Sequence, residues 1–381
     1  MPRQGIAMGL EFIEGNEAIV RGAIRAGCGF FAGYPITPAS TILEYMLHLL
    51  PAEGGVAMQA EDEIASMGLC IGASMAGRKA MTATSGPGIS LYSENIGLAI
   101  MGETPLVIVN VQRQGPATGS ATKGAEGDIQ FTRWVTSGGL PMIALSPATV
   151  GEAYELTFRA FNLSEQFRVP VIVLSNKEIS LTQESVDLDA IELPPLVERR
   201  RPADGEKYQP HHFETPEQVP VLSDFGGEHV TQYTTSTHDK AGYLTADPGL
   251  IQEMIDHYTA KIEAATDDIA LFRHDPQEDA ETLVVSYGVT SRSAAMAVRE
   301  ARDRGKRVSS LTLQTLYPVP ERAIKSAIDG VARIVVPEMN MGQYRLEIER
   351  LAPDGAEVIG VNKMNTTLIS PDEIIAEGGL L

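Results

Sequence analysis

Gly33-Tyr34-Pro35-Ile36-Thr37-Pro38 follows directly on residues 28–32, an apolar run of the length of one buried strand. Pro35 and Pro38 fix their own φ and force Tyr34 and Thr37 towards extended backbone. The strand is therefore expected to end in a stiff loop that presents Thr37 beyond its carboxyl end. A rigid connection and one wall of a binding site are both consistent with such a loop. Upstream, Asn16 reads as the N-cap of a helix that carries Ala18, Ile19, Ala23 and Ile24 on one face and closes at Gly27. Downstream, Ser40 caps a helix with Leu43, Met46, Leu47 and Leu50 on its apolar face, and residues 56–59 make the next short strand. The unit then repeats: helix 62–76, strand 80–84, helix 90–101, strand 106–111, helix 149–167, strand 169–174. This alternation predicts an α/β fold, a mostly parallel doubly wound sheet covered on both faces.

From about residue 192 the alternation stops. Pro194, Pro195, Pro202, Pro210, Pro216 and Pro220 punctuate a stretch with few apolar runs, read as a long ordered linker. His211, His212, His229, His238 and His274 lie in or beside it and read as surface or packing residues, His238 least readily so. Alternation resumes near Thr282, with strands at 283–287, 308–313, 334–337 and 357–361 and helices at 291–304, 321–328 and 344–352. With 381 residues, enough for two cores, the expected division is 1–190, an irregular 191–275, and a smaller α/β domain over 276–381.

The formal charge of -20 argues against a broad nucleic-acid or anionic-membrane surface. No apolar run is long enough to span a bilayer, and Met1-Pro2-Arg3-Gln4-Gly5 lacks a signal-peptide layout, so a cytoplasmic location is expected. Cys28 and Cys70 are the two cysteines, each in an apolar stretch. They read as core residues, and with them no zinc or iron–sulfur ligand set is available, so no metal site is expected on this chain.

Ligands of open parallel sheets sit beyond the carboxyl ends of the strands, which makes the turns there informative. Four stand out in the first half. Residues 33–38 are the first. The second is Gln59-Ala60-Glu61-Asp62-Glu63, three carboxylates at a helix start, where the macrodipole accounts for Glu61 and Asp62. Glu63 precedes a run rich in small residues, Gly68, Gly72, Ala73 and Ser74, that allows close packing. A carboxylate buried there could share a proton with a ring nitrogen. The third is Thr84-Ser85-Gly86-Pro87-Gly88, a cradle of backbone donors. The fourth, Gln112-Arg113-Gln114-Gly115-Pro116-Ala117-Thr118-Gly119, places Arg113 at the same edge, either as a fork for a substrate carboxylate or in a surface ion pair.

Taken in order, these turns resemble those of the α subunit of the 2-oxoacid:ferredoxin oxidoreductases. The likeness runs nearly end to end and includes Ser236-Thr237-His238-Asp239, Tyr287-Gly288 and Pro337-Glu338-Met339-Asn340-Met341-Gly342-Gln343. The resemblance implies a pyrimidine-binding domain for thiamine diphosphate followed by a transketolase C-terminal-like domain. It implies a cofactor shared with a β subunit that holds the diphosphate, Mg2+ and a 4Fe-4S cluster. In its terms Glu63 occupies the position of the glutamate that bonds the aminopyrimidine, with Glu61 as competitor. Tyr34, Pro35, Ile36, Thr37, Ser85, Gly86 and Pro87 line the cofactor, and Thr37 and Arg113 face the 2-oxoacid. Lys123 is either an anchor for a distal carboxylate or a solvated lysine.

The implied reaction is coenzyme A-dependent oxidative decarboxylation of 2-oxoglutarate to succinyl-CoA and carbon dioxide, with reduction of ferredoxin. Branched-chain 2-oxoacids or pyruvate are the alternative substrates. Ala39, Gln114 and Ala117 depart from the family's common residues and bear on substrate choice. A separate γ chain is expected because the pattern begins near Gly15, with a ferredoxin-like δ subunit as a further partner. Ferredoxin, itself acidic, is expected to dock on β or another subunit. The rivals are the β chain of a dehydrogenase E1 component and a non-catalytic nucleotide-binding or scaffolding subunit.

Overall fold

Short Val- and Ile-rich runs, each followed by a helix, leave both faces of a strand to be covered, and the first half of the chain builds a parallel sheet that does this. The computed structural model describes residues 9–205 and 207–381, so the opening Met1-Pro2-Arg3-Gln4-Gly5 lies outside the described residues. The strands are β1 Glu11–Glu14, β2 Phe30–Gly33, β3 Val56–Gln59, β4 Ala80–Thr84, β5 Leu106–Gln112, β6 Ile143–Leu145, β7 Pro170–Asn176, β8 Gln183–Val186, β9 Phe272–Asp275, β10 Thr282–Tyr287, β11 Val308–Leu313, β12 Thr315–Tyr317, β13 Arg333–Glu338 and β14 Glu357–Asn362. Seven form the first sheet in the order β12-β6-β7-β5-β4-β2-β3. Neighbours from β6 to β3 run parallel, with Leu106 opposite Pro170 and Gln112 opposite Asn176 in the central pair.

Successive residues of β5 point to opposite faces, and the core divides accordingly. Val107, Val109 and Val111 join Ile19, Ile42 and Phe161 from the helices Gly15–Arg25, Ser40–Leu49 and Val150–Phe167. Leu106 and Ile108 join Met67, Ile71 and Ile96 from the helices Glu63–Met75 and Ser93–Met101. The second sheet, β14-β13-β10-β11-β9, is parallel except for the edge strand β9.

Several elements differ from expectation. Residues 191–275 were expected to be irregular, yet they contain the helix Pro248–Glu263, started by Asp247, whose side chain accepts from Gly249 and Leu250 N–H. Its buried stripe, Met254, Tyr258 and Ile262, is separated by polar residues and preceded by prolines, so its helical period is hard to see. β6 and β12 have three residues each, too few to show a period, and β12 leaves the second half of the chain to pair antiparallel with β6 on the first sheet. Asn16 is not a cap: Glu14 holds that place, while buried Asn16 donates from Nδ2 to Pro38 O at 2.9 Å and to Thr41 Oγ1 at 2.8 Å. It thereby tethers the proline loop to the first helix.

At the amino end of β5 a buried polar cluster fastens residues 200–262 to the first domain. Glu103, in left-handed conformation at φ 48°, is fully buried. Its carboxylate accepts from Lys261 Nζ at 2.7 Å and from ring nitrogens of His257 and His211 at 2.8 Å each. Its carbonyl accepts from Arg168 Nε, whose Nη1 reaches Pro210 O and Val221 O. Burial pushes the Glu103 carboxyl up, but Lys261, Arg168 and the two histidines outweigh it and hold the group well below the usual carboxylate range. His238 is buried as well, within 3.0 Å of both Met101 O and Tyr258 OH. These histidines are packing residues inside the protein rather than on its surface. No helix among the described residues is long and apolar enough to cross a membrane.

Candidate active site

Asp62 starts the helix after β3 by accepting from Ala65 N–H at 2.7 Å, and Ser66 Oγ closes back on Asp62 O. That spends Asp62 on structure and turns Glu61 to solvent, while Glu63, the first helical residue, is only 6% exposed. Among the described residues no hydrogen bond or ion pair reaches the Glu63 carboxylate. The side chain is enclosed by its neighbours while no protein group claims its carboxylate, which leaves that carboxylate open to a ligand.

The turn after β4 lies against it. A Cβ on Gly88 would come within 2.7 Å of Glu63 Oε1, so glycine here is what lets the helix Pro87–Leu91 approach the carboxylate. Gly86, at φ 54°, has the same relation to Arg113, whose Nε would be 2.5 Å from an added Cβ. The Ser85-to-Gly88 turn thus stands between Glu63 and Arg113 and places them in one site. Among the described residues, buried Thr84 Oγ1, Ser85 Oγ, Asn110 Oδ1 and Arg113 Nε find no hydrogen-bond partner.

Arg113 is 5% exposed and is not in a surface ion pair. Its Nη1 donates to Thr37 O at 2.5 Å and its Nη2 to Thr118 O at 3.1 Å, joining the proline loop to the turn after β5. The open two-nitrogen fork expected of it is therefore not formed here: both terminal nitrogens hold backbone carbonyls, and Nε is the free donor. Burial lowers the Arg113 pKa, opposed by Asp128. Asp128 was not identified from the sequence. Burial raises its carboxyl, with Asn110, donating from Nδ2 at 2.9 Å, and Arg113 opposing. Fifteen residues separate Asp128 from Arg113 in the chain, and nothing in local spacing marks the pair.

Thr37, Tyr34 and Pro35 are exposed at the tip of the first loop, and Ile36 is half-buried. Ser85 is buried, while Gly86 and Pro87 are half-buried. Lys123 is exposed, its backbone alone engaged, with Gln114 N–H donating to its carbonyl. The structure brings Glu63, Ser85, Gly86, Pro87, Arg113 and Thr37 to one edge. Among the described residues nothing engages the Lys123 amine, which is exposed on the loop beyond.

A family model described as pyruvate flavodoxin/ferredoxin oxidoreductase, thiamine diphosphate-binding, matches residues 21–256, and one described as pyruvate:ferredoxin oxidoreductase core domain II matches residues 280–374. The chain belongs to the 2-oxoacid:ferredoxin oxidoreductases. Family relatives named 2-oxoglutarate synthase subunit KorA, from Methanothermobacter thermautotrophicus and Archaeoglobus fulgidus, are 43% and 40% identical. The first alignment covers 96% of each chain, the second 98% of this chain and all of the relative. A ketoisovalerate oxidoreductase subunit VorB from the same Methanothermobacter is 33% identical over 97% of each.

A solved 2-oxoglutarate:ferredoxin oxidoreductase from Magnetococcus marinus, with 2-oxoglutarate, coenzyme A and succinyl-CoA bound, superposes with a TM-score of 0.90 at 28% identity over 96% of this chain. The present chain spans 64% of that longer one. A split-gene transketolase, at 12% identity and a TM-score of 0.54, shares the fold. The matched first unit is thus a thiamine diphosphate-binding one, and the residues present fit that cofactor: an unpartnered carboxylate for a ring nitrogen, flanked by unpartnered hydroxyls on a glycine-rich turn.

Proposed function

We propose that this chain is the pyrimidine-side subunit of a multi-subunit 2-oxoglutarate:ferredoxin oxidoreductase, converting 2-oxoglutarate and coenzyme A to succinyl-CoA and carbon dioxide with reduction of ferredoxin. The observation that carries the reading is Glu63, buried and unpartnered against Gly88 with the free Arg113 Nε across the same turn. The substrate follows the four relatives at 40% identity or more, all named 2-oxoglutarate synthase subunits. Branched-chain 2-oxoacids are the second reading, favoured by the ketoisovalerate relatives at 33%.

When bound, thiamine diphosphate supplies the carbon nucleophile for the 2-oxo carbon and the sink for the electron pair left by carbon dioxide. Glu63 exchanges a proton with a pyrimidine nitrogen, and its lack of a protein partner leaves it free to do so. Arg113 brings its positive charge to the substrate carboxylate, while its terminal nitrogens hold Thr37 O and Thr118 O. Thr37, at the loop tip, faces the 2-oxo group. Lys123 is the candidate anchor for the distal carboxylate of 2-oxoglutarate.

The remaining parts of the reading concern partners. Tyr34, Met58, Ile64, Leu69 and Leu91 are 36–53% exposed around Glu63, and a Cβ on Gly68 or Gly72 would meet nothing within 4 Å. Such an apolar, glycine-relieved face supports a second chain closing the site. That β subunit would carry the diphosphate, Mg2+ and the 4Fe-4S cluster, since the two cysteines here are buried core residues. Separate γ and δ chains, a cytoplasmic location and the division at about residues 190 and 276 belong to the same proposal.

The test is the reconstituted complex assayed with 2-oxoglutarate, 2-oxoisovalerate and pyruvate, with coenzyme A and an artificial acceptor. Highest kcat/KM on 2-oxoglutarate is expected. A clear preference for pyruvate overturns the substrate assignment.

A further inference from the structure

Two motifs of the second half, Tyr287-Gly288 and Pro337 to Gln343, have no part in the chemistry above, yet both converge on one residue of the loop that follows Arg113. Glu126 is 1% exposed. Its carboxylate accepts from Asn176 Nδ2 at the end of β7 at 2.7 Å, from Val289 N–H at 3.0 Å and from Thr290 Oγ1 at 3.2 Å. The last two donors open the helix Thr290–Asp303, so a carboxylate of the first sheet's loop caps a helix of the second domain. A Cβ on Gly288, at φ 55°, would collide with Glu126 Oε1, which explains the glycine after Tyr287.

The backbone of Glu126 is held too. Its N–H donates to Met339 O at 3.0 Å, and its carbonyl accepts from Asn340 Nδ2 at 2.7 Å. Asn340 also donates to Tyr287 OH, which itself donates to Glu338. One residue further along, Gly127 O accepts from Gln343 Nε2 at 2.7 Å. At its other end the loop carries Arg113, and between them Lys123 stands exposed. Six hydrogen bonds on two consecutive residues therefore join the substrate-facing loop to its surroundings, five of them to the second domain.

We propose that Glu126 is a positioning residue for the 2-oxoacid: by capping the helix Thr290–Asp303 it locks the 113–128 loop against the second domain and sets where Arg113 and Lys123 meet the substrate. This rests on the substrate-binding reading of Arg113 above. Burial pushes the Glu126 carboxyl up to about 7, with Glu338 of β13 adding to the rise and Val289, Asn176 and Thr290 opposing it, so the lock is made by a group that changes charge near neutrality.

The experiment uses the reconstituted complex carrying Glu126→Gln, Thr290→Val or Arg113→Lys, with two readouts. One is the KM and kcat for 2-oxoglutarate; the other is the rate of tryptic cleavage after the exposed Lys123, which needs no activity. An amide at residue 126 keeps one oxygen for Asn176 and Val289, which share Oε1, but turns an NH2 towards Thr290 Oγ1 and removes the charge that caps the helix. Glu126→Gln is expected to raise KM about tenfold with kcat within about twofold and to speed cleavage at Lys123 several-fold. Thr290→Val, which removes one donor and no charge, is expected to raise KM about threefold. A lowered melting temperature with KM and Lys123 cleavage both unchanged would make Glu126 merely structural and overturn the proposal. If Arg113→Lys raises KM while Glu126→Gln does not, the positioning role alone falls; if neither does, the substrate-binding reading of the loop falls with it. Should Glu126→Gln fail to assemble, Thr290→Val decides by the same two readouts.

Discussion

Glu63 and Glu103 are both glutamates buried in the first domain, and they sit at opposite ends of its parallel strands. Glu103, before β5, is met by Lys261, His257 and His211 at 2.7–2.8 Å. Glu63, after β3, is met by no hydrogen-bond or ion-pair partner among the described residues, although it is only 6% exposed. Both side chains are buried, at 0% and 6% exposed, but their carboxylates are satisfied in opposite ways, and that separates two uses of one side chain. A carboxylate with both oxygens engaged by the protein is part of the frame, whereas one that its own fold leaves unclaimed is a candidate for a ligand.

The comparison breaks most readily at Glu63. Glu63→Gln in the reconstituted complex is expected to lower turnover by several powers of ten while thermal unfolding shifts little or upward, because no protein bond is lost. Near-normal turnover would remove the catalytic assignment and make Glu63 a helix-start acid.

The next effect in size is at Glu103, with the opposite profile. Glu103→Gln leaves Lys261 buried beside a neutral group, so a loss of about 3–5 kcal/mol in denaturant unfolding is expected, with kcat nearly normal in the folded fraction. A variant as stable as the parent would show that the cluster does not fasten residues 200–262.

Acid sharpens the contrast further. The Glu103 carboxyl is held below its ordinary value, so what it contributes is present above the unfolded value of 4.5 and is lost as pH falls through the lower folded value. Glu126 has the other sign. Its folded value of about 7 lies above 4.5, so its contribution is full below 4.5 and is lost as pH rises towards 7. On the order of 3 kcal/mol is at stake across that window. Unfolding of Glu126→Gln from pH 4.5 to 7 should lack this slope; a parallel pH dependence in variant and parent would contradict it.

The smallest expected effect is at Lys123, which neither glutamate touches. Lys123→Ala should raise KM about tenfold for 2-oxoglutarate and leave 2-oxoisovalerate unchanged if the amine meets the distal carboxylate. An unchanged ratio would identify a solvated lysine.

Legibility varied with the range of the interaction. β3 and β4 form over the residues that the alternation of helical and extended segments predicts, 56–59 and 80–84, because each stands between two helical patterns. The three-residue strands β6 and β12 are too short to show a period. The helix Pro248–Glu263 was hidden because its buried positions are divided between a small apolar stripe and two charged or polar anchors, His257 and Lys261, that satisfy Glu103. Asn16 was misread for a related reason: its residue type favours a cap, but a contact 22 residues away claims its amide.

By itself the sequence determined the alternating α/β fold, the four turns beyond the strand ends, and the candidacy of Glu63, Thr37 and Arg113, since each depends on neighbours within a few residues. Tertiary structure alone decided which of Glu61 and Glu63 is buried, that the Arg113 terminal nitrogens hold Thr37 O and Thr118 O, and that Asp128 and Glu126 belong beside the site. The satisfaction of a buried polar group is a property of everything packed around it, and partners brought from 15 to more than 150 residues away leave no local period to read.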